Sequence, residues 1–186
     1  MRVIAGKYRS LRLSAPAGGA VRPAMDHIRE YVFNVICSRV PQAEVCDLFA
    51  GTGSLGIEAL SRGAKRTVFV DTSPSALASI RDNISRLRVA EPCEVLRADA
   101  WSYLERARAE RRRFDLIFCD PPYGYPRTAE LVAAILGGGV LGEKGVLVVE
   151  HDDSQPLILP EKSPLTLRDK KFGRTRISIF TAPDPI

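Results

Sequence analysis

Short apolar runs alternate along most of the chain with longer segments whose apolar residues recur at helical spacing. The runs begin at Val45, Thr67, Cys93, Phe114 and Val146. Apolar strands separated by helix-length segments are typical of parallel strands in βαβ units. Between the strands we expect helices over residues 55–61, 74–87, 101–110 and 128–136. The pattern therefore predicts a doubly wound α/β sheet.

The two ends of the chain follow other patterns. Residues 2–13 alternate apolar and polar side chains around a Gly-Lys pair, which predicts a β-hairpin, and residues 26–39 have apolar residues at helical spacing. Residues 165–169 and 176–181 predict a terminal antiparallel pair of strands. We therefore expect a Rossmann-like, mostly parallel sheet of seven strands that carries an N-terminal β-hairpin and helix.

Length and composition indicate a single globular domain. The chain has 186 residues, of which 45% are hydrophobic and 26% charged, which are ordinary globular values. We expect one domain over residues 1–186, with an extension over 1–40 and the α/β core over 41–186. No apolar run approaches the roughly 20 residues that cross a bilayer, and the first residues lack the apolar core of a secretion signal. The expected location is the cytoplasm, with no membrane contact.

Charge and cysteine usage narrow the choice of partners. The formal net charge of +5 is compatible with a polyanion such as nucleic acid, because Lys and Arg displace counterions from phosphates. His27 and His151 show no metal-binding spacing, so we expect no metal site. Four cysteines lie scattered in apolar segments without a Cys-x-x-Cys pair, and we expect them to be buried packing residues. They are Cys37, Cys46, Cys93 and Cys119.

Each predicted core strand ends in an acidic residue or just before one. These residues are Asp47, Asp71, Asp99, Asp120 and Glu150. Because ligands of open α/β sheets bind at the carboxyl ends of the strands, the five side chains would surround one crevice. A single aspartate in such a place can equally cap a helix or start a turn, so the whole set carries more weight than any one member.

Residues 47–56, DLFAGTGSLG, join the first core strand to its helix and match G-x-G-x-x-G. A dinucleotide would place its pyrophosphate on this turn, where the Asp47 carboxylate would repel it. S-adenosylmethionine carries a sulfonium and an ammonium group, which Asp47 would attract. Asp71 has the spacing of a carboxylate that bonds ribose hydroxyls, and Asp99 would accept from the adenine amino group. The predicted cofactor-binding residues are Asp47, Phe49, Ala50, Gly51, Thr52, Gly53, Gly56, Asp71, Thr72, Asp99 and Ala100.

After the apolar run that ends at Cys119 come Asp120, Pro121, Pro122 and Tyr123. Proline fixes its own φ and keeps the preceding residue extended, so the Asp120 carboxylate and the Pro121 carbonyl are held rigidly. If each accepts one N–H of an exocyclic amine, the nitrogen lone pair is localised and aimed at a methyl group. Tyr123 would stack on the target base. These four residues are the predicted catalytic set, although a proline-stiffened loop without a catalytic role has the same signature.

Together these motifs resemble the class I methyltransferases, and residues 1–180 are similar to the bacterial 16S ribosomal RNA guanine-N2 methyltransferase family. Residues 2–7 (RVIAGK) and 22–34 carry the narrower likeness. The resemblance implies that the acids and glycines bind S-adenosylmethionine, that residues 120–123 hold the guanine and that the N-terminal hairpin touches RNA. It also implies a monomeric enzyme acting on 16S rRNA in an assembled small-subunit particle. The RNA-binding candidates are Lys7, Arg9, Arg12, Arg22 and Arg29.

Two other interpretations remain open. A DNA adenine N6-methyltransferase resembles this pattern because it also uses an Asp-Pro-Pro-Tyr segment on an exocyclic amine, but we see no added segment for target recognition. A non-catalytic protein would instead bind a dinucleotide on the turn between Gly51 and Gly56. The chain also departs from the family pattern at Ala24, Met25 and His27, where the family usually carries threonines and a basic residue.

Overall fold

The fold is a central β-sheet flanked by helices, in a computed structural model that describes residues 1–14, 23–154, 157 and 165–181. Residues 23–25 are described by their backbone alone. The helices are α1 (Pro23–Val35), α2 (Ser54–Ser61), α3 (Pro74–Arg86), α4 (Ala100–Ala109) and α5 (Thr128–Gly137). A 3₁₀ turn, Cys37–Arg39, takes the place of the last residues predicted for α1. The strands are β1 (Glu44–Leu48), β2 (Arg66–Asp71), β3 (Cys93–Arg97), β4 (Phe114–Cys119), β5 (Leu141–Asp152), β6 (Thr166–Phe172) and β7 (Thr175–Thr181).

The seven strands of the described part of the chain form one sheet in the order β3-β2-β1-β4-β5-β7-β6. The first five in this order run parallel, whereas β7 runs antiparallel to both β5 and β6. The predicted doubly wound, mostly parallel Rossmann-like sheet is confirmed, including its terminal antiparallel pair. The chain winds outward from β1 to β3 and then returns to place β4 beside β1. Ligands of such sheets bind in the crevice where the strand order reverses.

Alternate residues of the central strands pack on opposite faces of the sheet. Val45 of β1 packs with Phe33 of α1 and Ile57 of α2 in one apolar cluster. Its neighbour Cys46 packs with Tyr103 of α4 in the cluster on the other face. Because helices cover both faces, four of the five residues of β1 are buried, which explains why three of those four are apolar. Polar side chains of the central strands are therefore expected at the strand ends.

Local capping residues set the helix starts close to their predicted positions. Ser73 caps α3 and Pro74 is the first residue of that helix. Asp99 caps α4 by accepting hydrogen bonds from the backbone N–H groups of Trp101 and Ser102. Both signals lie within a few residues of the helix end, so they act without help from the tertiary fold. The observed bounds of α2 to α5 accordingly differ from the predicted ones by at most one residue.

The predicted N-terminal hairpin is reduced to a single antiparallel bridge between Arg2 and Arg12. The backbone N–H groups of Ile4 and Ala5 donate instead to the carboxylate of Glu58 on α2, at 2.7 and 3.0 Å. Because a buried side chain takes these donors, residues 1–14 form no longer ladder. The N-terminal segment is therefore anchored to the core by α2 rather than by its own strand pairing.

Two of the four cysteines differ from the packing role expected of them. Cys46 and Cys119 are buried, but Cys37 is exposed and Cys93 is half-buried. Cys37 lies in the 3₁₀ turn, none of whose residues is buried, and Cys93 begins the edge strand β3. Within the described ranges, no helix is both long and apolar enough to cross a membrane.

Candidate active site

Three of the predicted acids lie at the strand ends where the strand order reverses. Asp47 lies in β1, and Asp120 directly follows β4, whose Cys119 pairs with Leu48. Glu150 occupies the corresponding place in β5, on the other side of β4. Neighbouring strands lie about 4.8 Å apart, so Asp120 and Glu150 stand side by side at the carboxyl edge of the sheet. Of the five acids expected to surround one crevice, Asp120 and Glu150 line the cavities at this edge.

The other two acids of the set have local partners. Asp71 ends β2, and its Oδ2 and Oδ1 accept hydrogen bonds from the backbone N–H groups of Gly51 and Ser73, at 2.9 and 2.8 Å. Asp99 is exposed at the start of α4, and its hydrogen bonds, first that from the Ser102 hydroxyl, lower its pKa. The structure thus shows Asp71 holding the glycine loop and Asp99 capping a helix. Their bonds to ribose and adenine remain predictions.

Residues 51–56 turn sharply from β1 into α2, and two glycines allow the turn. Gly53 has a φ of +76°, a left-handed value that favours glycine, at the N-cap of α2. A Cβ at Gly56 would lie 2.3 Å from Cε1 of Phe69, so α2 rests on β2 too closely for a side chain. The Gly56 N–H also donates to Oδ2 of Asp47 at 2.9 Å. The loop is therefore tied to the acid that precedes it.

The remaining predicted cofactor-binding residues surround the same strand ends. Ala50 and Ala100 are buried, Thr52 is half-buried and Thr72 is exposed after β2. The Ala50 N–H donates to the carbonyl oxygen of Val70 at 3.1 Å, which extends the pairing of β1 and β2 into the loop. The contacts of these residues with a cofactor remain predictions.

The carboxyl groups at the centre of the crevice are poorly hydrated. Asp47 is 1% exposed, and burial raises its pKa to about 8. The pKa of Asp120 lies well above its usual range, first because its carboxyl group is buried and then because Glu150 and Asp47 are near. Burial likewise raises the pKa of Glu150. A cation in the crevice would stabilise the ionised forms, so the site favours a positively charged ligand.

Two cavities open on the same pair of acids, Asp120 and Glu150. The first, of about 490 Å³, is lined mainly by apolar side chains of α1, α2 and the sheet, together with Arg29. The second, of about 420 Å³, is lined by residues 120–125 and by the end of β5. A ligand entering from either side therefore meets the same two carboxyl groups. No three His, Cys, Asp or Glu side chains in the described part of the chain come together as metal ligands.

The loop after β4 presents its tyrosine outward. The Tyr125 N–H donates to the carbonyl oxygen of Pro122 at 2.9 Å, which closes a tight turn around Tyr123. Tyr123 is 60% exposed at the mouth of the second cavity. An exposed aromatic ring beside a buried carboxyl group suits a base that stacks on the ring and points its polar edge inward. The structure brings all four predicted catalytic residues to this cavity, and their chemical roles remain predictions.

The exposed N-terminal segment carries three of the RNA-binding candidates. Lys7, Arg9 and Arg12 are exposed, and Lys7 forms an ion pair with Glu91 at 2.9 Å. Arg22 lies outside the described residues. Since a surface ion pair of this kind is weak, the Lys7 ammonium can exchange Glu91 for a phosphate at little cost.

The expectation for Arg29 needs correction. Arg29 is 4% exposed, and its guanidinium donates to the Arg2 carbonyl oxygen and to the Asp26 carboxylate. Its Nε also lies 4.0 Å from Glu58. A side chain enclosed in this way has no surface for an RNA phosphate. Arg29 instead lines the first cavity from α1, where apolar residues surround it at helical spacing.

Comparisons with known proteins decide the family. Residues 1–181 match the family described as Conserved hypothetical protein 95. The chain belongs to this family. A Bacillus subtilis (strain 168) relative, provisionally named an rRNA methyltransferase, is 36% identical over 97% of this chain and 98% of its own. Ribosomal RNA small subunit methyltransferase D of Haemophilus influenzae is 31% identical over 93% of this chain and 89% of its own.

Solved structures agree with the sequence comparison. An Escherichia coli structure, provisionally named a methyltransferase, has a TM-score of 0.83 and 26% identity, covering 98% of this chain and 97% of its own. The likeness therefore includes both motifs and the N-terminal extension. The resemblance drawn from the sequence motifs is confirmed, and so is the Rossmann-like methyltransferase fold.

Sequence reasoning missed several side chains of this family member's site. Tyr125, His151 and Asp152 line the second cavity together with the predicted catalytic residues. Arg174, in the turn between β6 and β7, lies against Tyr123. Tyr125 had a signal, because it follows the Asp-Pro-Pro-Tyr segment closely. His151 and Asp152 had one too, because they directly follow the predicted Glu150, whereas Arg174 had none, since the pairing of β5 with β7 brings it to the site.

Proposed function

We propose that the chain transfers a methyl group from S-adenosylmethionine to the exocyclic N2 amine of a guanine in 16S rRNA. The observation that carries the proposal is the placing of residues 120–123 around the second cavity, next to the end of β1, where Asp47 holds the glycine loop. The names of the relatives support a ribosomal RNA substrate. We expect the enzyme to act as a monomer in the cytoplasm, on an assembled small-subunit particle.

The residues at the ends of β1 and β2 fit a cationic nucleoside donor. Asp47 is a buried carboxyl group with a raised pKa, and a nearby sulfonium or ammonium group would stabilise its ionised form. Each Asp71 oxygen accepts one protein hydrogen bond and keeps lone pairs for ribose hydroxyls. When bound, S-adenosylmethionine supplies the electrophilic methyl group.

Asp120 and its neighbours would prepare the amine. An exocyclic amine is a poor nucleophile because its lone pair is delocalised into the ring. The Asp120 carboxylate and the Pro121 carbonyl oxygen each accept one N–H, which localises the lone pair on the nitrogen. The new N–C bond would form as the S–CH3 bond of the donor breaks and leaves S-adenosylhomocysteine, and the surplus proton on nitrogen would pass to the Asp120 carboxylate. The raised pKa of Asp120 makes it a stronger base than an ordinary aspartate.

The N-terminal extension would bring the RNA to this cavity. Met1 lines the first cavity together with Asp120, so the segment that carries Lys7, Arg9 and Arg12 begins at the site. Contacts from these cations to phosphates would set the position of the strand without reading its sequence. A guanine leaving its stack would then meet the ring of Tyr123.

The experiment is tritium transfer from labelled S-adenosylmethionine to naked 16S rRNA, assembled small subunits and DNA, followed by nucleoside analysis. The expected product is N2-methylguanosine in rRNA, with assembled subunits as the better substrate. Label recovered as N6-methyladenine in DNA would show that the substrate is adenine in DNA and not guanine in rRNA. Calorimetry with S-adenosylmethionine and NAD completes the design. Tight NAD binding without methyl transfer to any nucleic acid would overturn the proposal that the chain is a methyltransferase.

A further inference from the structure

The β6–β7 hairpin carries five cations, and three of them, Lys170, Lys171 and Arg176, have partners away from the second cavity. Lys171 and Arg176 form ion pairs with Asp153, at 2.5 and 2.6 Å. The ammonium group of Lys170 lies 4.4 Å from the ring centroid of Tyr31. These contacts hold the hairpin against the rest of the protein. Arg174, at the turn itself, is directed to the catalytic loop instead.

Arg174 contacts the exposed tyrosine of that loop. Its guanidinium carbon lies 5.1 Å from the ring centroid of Tyr123. Its carbonyl oxygen accepts a hydrogen bond from the Asp153 N–H at 3.0 Å, which fixes the backbone of the turn. The side chain is exposed, while its backbone is held in place. The Arg174 side chain therefore contacts Tyr123 from a backbone position that is fixed by a hydrogen bond.

Asp152 completes a cluster with these two residues. The neighbouring Tyr123 hydroxyl is the first cause that lowers the pKa of Asp152 to about 2, and the charge of Arg174 lowers it further. Asp152 also accepts hydrogen bonds from the N–H and hydroxyl of Ser154, at 2.9 Å each. The carboxylate is thus a fixed anion that holds the tyrosine hydroxyl and keeps the guanidinium close to the ring.

We infer that Arg174 is a substrate-positioning residue that holds Tyr123 in place before RNA binds and then takes a phosphate of the nucleotide whose base stacks on Tyr123. The inference rests on the proposed function, because it needs a nucleotide in the second cavity. A base stacked on the tyrosine brings its own sugar-phosphate to the rim of the cavity, where the guanidinium lies. A planar guanidinium suits both tasks, since it stacks on an aromatic face and binds phosphate through paired N–H donors.

The test compares Arg174→Ala and Arg174→Lys with a matched control, Arg113→Ala. Arg113 is 62% exposed just before β4, at the opposite edge of the sheet, so the control removes the same charge far from the cavity. The measurements are kcat and KM for methylation of small subunits at several salt concentrations, and calorimetric affinity for S-adenosylmethionine. These readouts separate a phosphate contact from a general loss of structure.

We expect Arg174→Ala to raise the KM for small subunits about tenfold, because a charge-assisted contact is lost. The slope of log affinity against log salt should fall by about 1, the loss of one phosphate contact. Arg174→Lys should keep the wild-type salt slope, because an ammonium group keeps the charge. Its KM should lie between those of wild type and Arg174→Ala, since it lacks the planar fork of the guanidinium. Affinity for S-adenosylmethionine should stay at the wild-type value in every variant.

Failure of the inference differs from failure of the proposed function. If wild-type protein methylates rRNA and Arg174→Ala matches Arg113→Ala in KM and salt slope, Arg174 has no positioning role. An unchanged slope with reduced affinity for S-adenosylmethionine would likewise overturn the inference, because the effect would then be structural. If wild-type protein transfers no methyl group to RNA, the proposed function and the inference both fall.

Discussion

The ring of Phe49 meets the ring of Tyr125 edge to face, with 5.4 Å between the ring centroids and 64° between the planes. Phe49 belongs to the loop after β1 and has a φ of +58°, an uncommon value for a bulky residue. Tyr125 belongs to the loop after β4. The contact therefore joins the loop predicted to hold the cofactor to the loop predicted to hold the base, and it offsets the backbone strain at Phe49.

The first prediction concerns this pair. In a double-mutant cycle, Phe49→Ala and Tyr125→Ala should show a coupling of about 0.5–1.5 kcal/mol in the free energy of unfolding, the usual value for an aromatic pair. Urea titration measures it. As a control, Phe49→Ala combined with Tyr31→Ala should be additive, because the Tyr31 ring pairs with Phe172. Additive effects in the Phe49 and Tyr125 cycle would show that the two loops are independent.

The parts of the fold predicted from sequence are those with local causes. The apolar runs of β1 and β4 indicated strands, Ser73 indicated a helix start, and the acids after the strands indicated the crevice. Each signal lies within a few residues of the feature it determines. The catalytic loop was found for the same reason, since Asp120 to Tyr123 are contiguous and their prolines act on adjacent residues.

The parts not predicted depend on contacts between distant segments. The N-terminal hairpin was expected from alternation, but the Ile4 N–H donates to Glu58, 54 residues away, and no local pattern reports that contact. Arg29 is an RNA-binding candidate in the segment that carries the family resemblance, and only the packing of α1 shows that its side chain is buried. Arg174 reaches Tyr123 only through the order of β5, β7 and β6.

The second prediction compares a glycine at which an added Cβ would clash with a glycine at which an added Cβ would meet open space. Gly56→Ala should lower the free energy of unfolding by about 1–3 kcal/mol, because its Cβ would meet the Phe69 ring and the Thr67 methyl group at 2.3 and 2.8 Å. Gly137→Ala is the matched control, since nothing lies within 4 Å of its added Cβ at the end of α5. It should be neutral or slightly stabilising. Equal losses in thermal unfolding would mean that α2 can move away from β2.

The third prediction tests the lone-pair role of Asp120. Asp120→Ala should abolish methyl transfer while affinity for S-adenosylmethionine stays within a few-fold, because the carboxylate acts on the base. Asp120→Asn keeps one acceptor oxygen but takes up no proton, so it should also be inactive. Single-turnover transfer and calorimetry measure the two properties separately. Wild-type turnover in Asp120→Ala would remove the proposed mechanism.

A fourth prediction distinguishes the ring of Tyr123 from its hydroxyl. Tyr123→Ala should reduce kcat/KM for RNA about tenfold or more, because the stacking surface is lost. Tyr123→Phe keeps the ring and loses only the hydroxyl that interacts with Asp152, so its kcat/KM should fall only a few-fold. If the two variants are equally damaged, orientation of the ring by Asp152 matters as much as the stacking itself.

The fifth prediction follows from the pKa of Asp47, which burial raises from 3.8 to about 8. An acid with a raised pKa in the folded state binds more protons there than in the unfolded state, so its contribution to stability is present below pH 4 and is lost as pH rises through about 8. The Tm of the cofactor-free protein should therefore fall between pH 5 and pH 8. Asp120 and Glu150, whose pKa values are also raised, act in the same direction.

The difference between wild type and Asp47→Asn isolates the share of Asp47. Asparagine can still accept the Gly56 N–H through its side-chain oxygen but cannot ionise, so its Tm should fall less steeply over the same pH range. Asp82→Asn, at an aspartate whose side chain is 50% exposed on α3, should run parallel to wild type. S-adenosylmethionine should bind wild type more tightly as pH rises towards 8, because its cationic groups favour the ionised carboxyl. Parallel Tm curves for wild type and Asp47→Asn would show that Asp47 is already ionised in the empty crevice. In that case titration of Asp47 would not contribute to the affinity for S-adenosylmethionine.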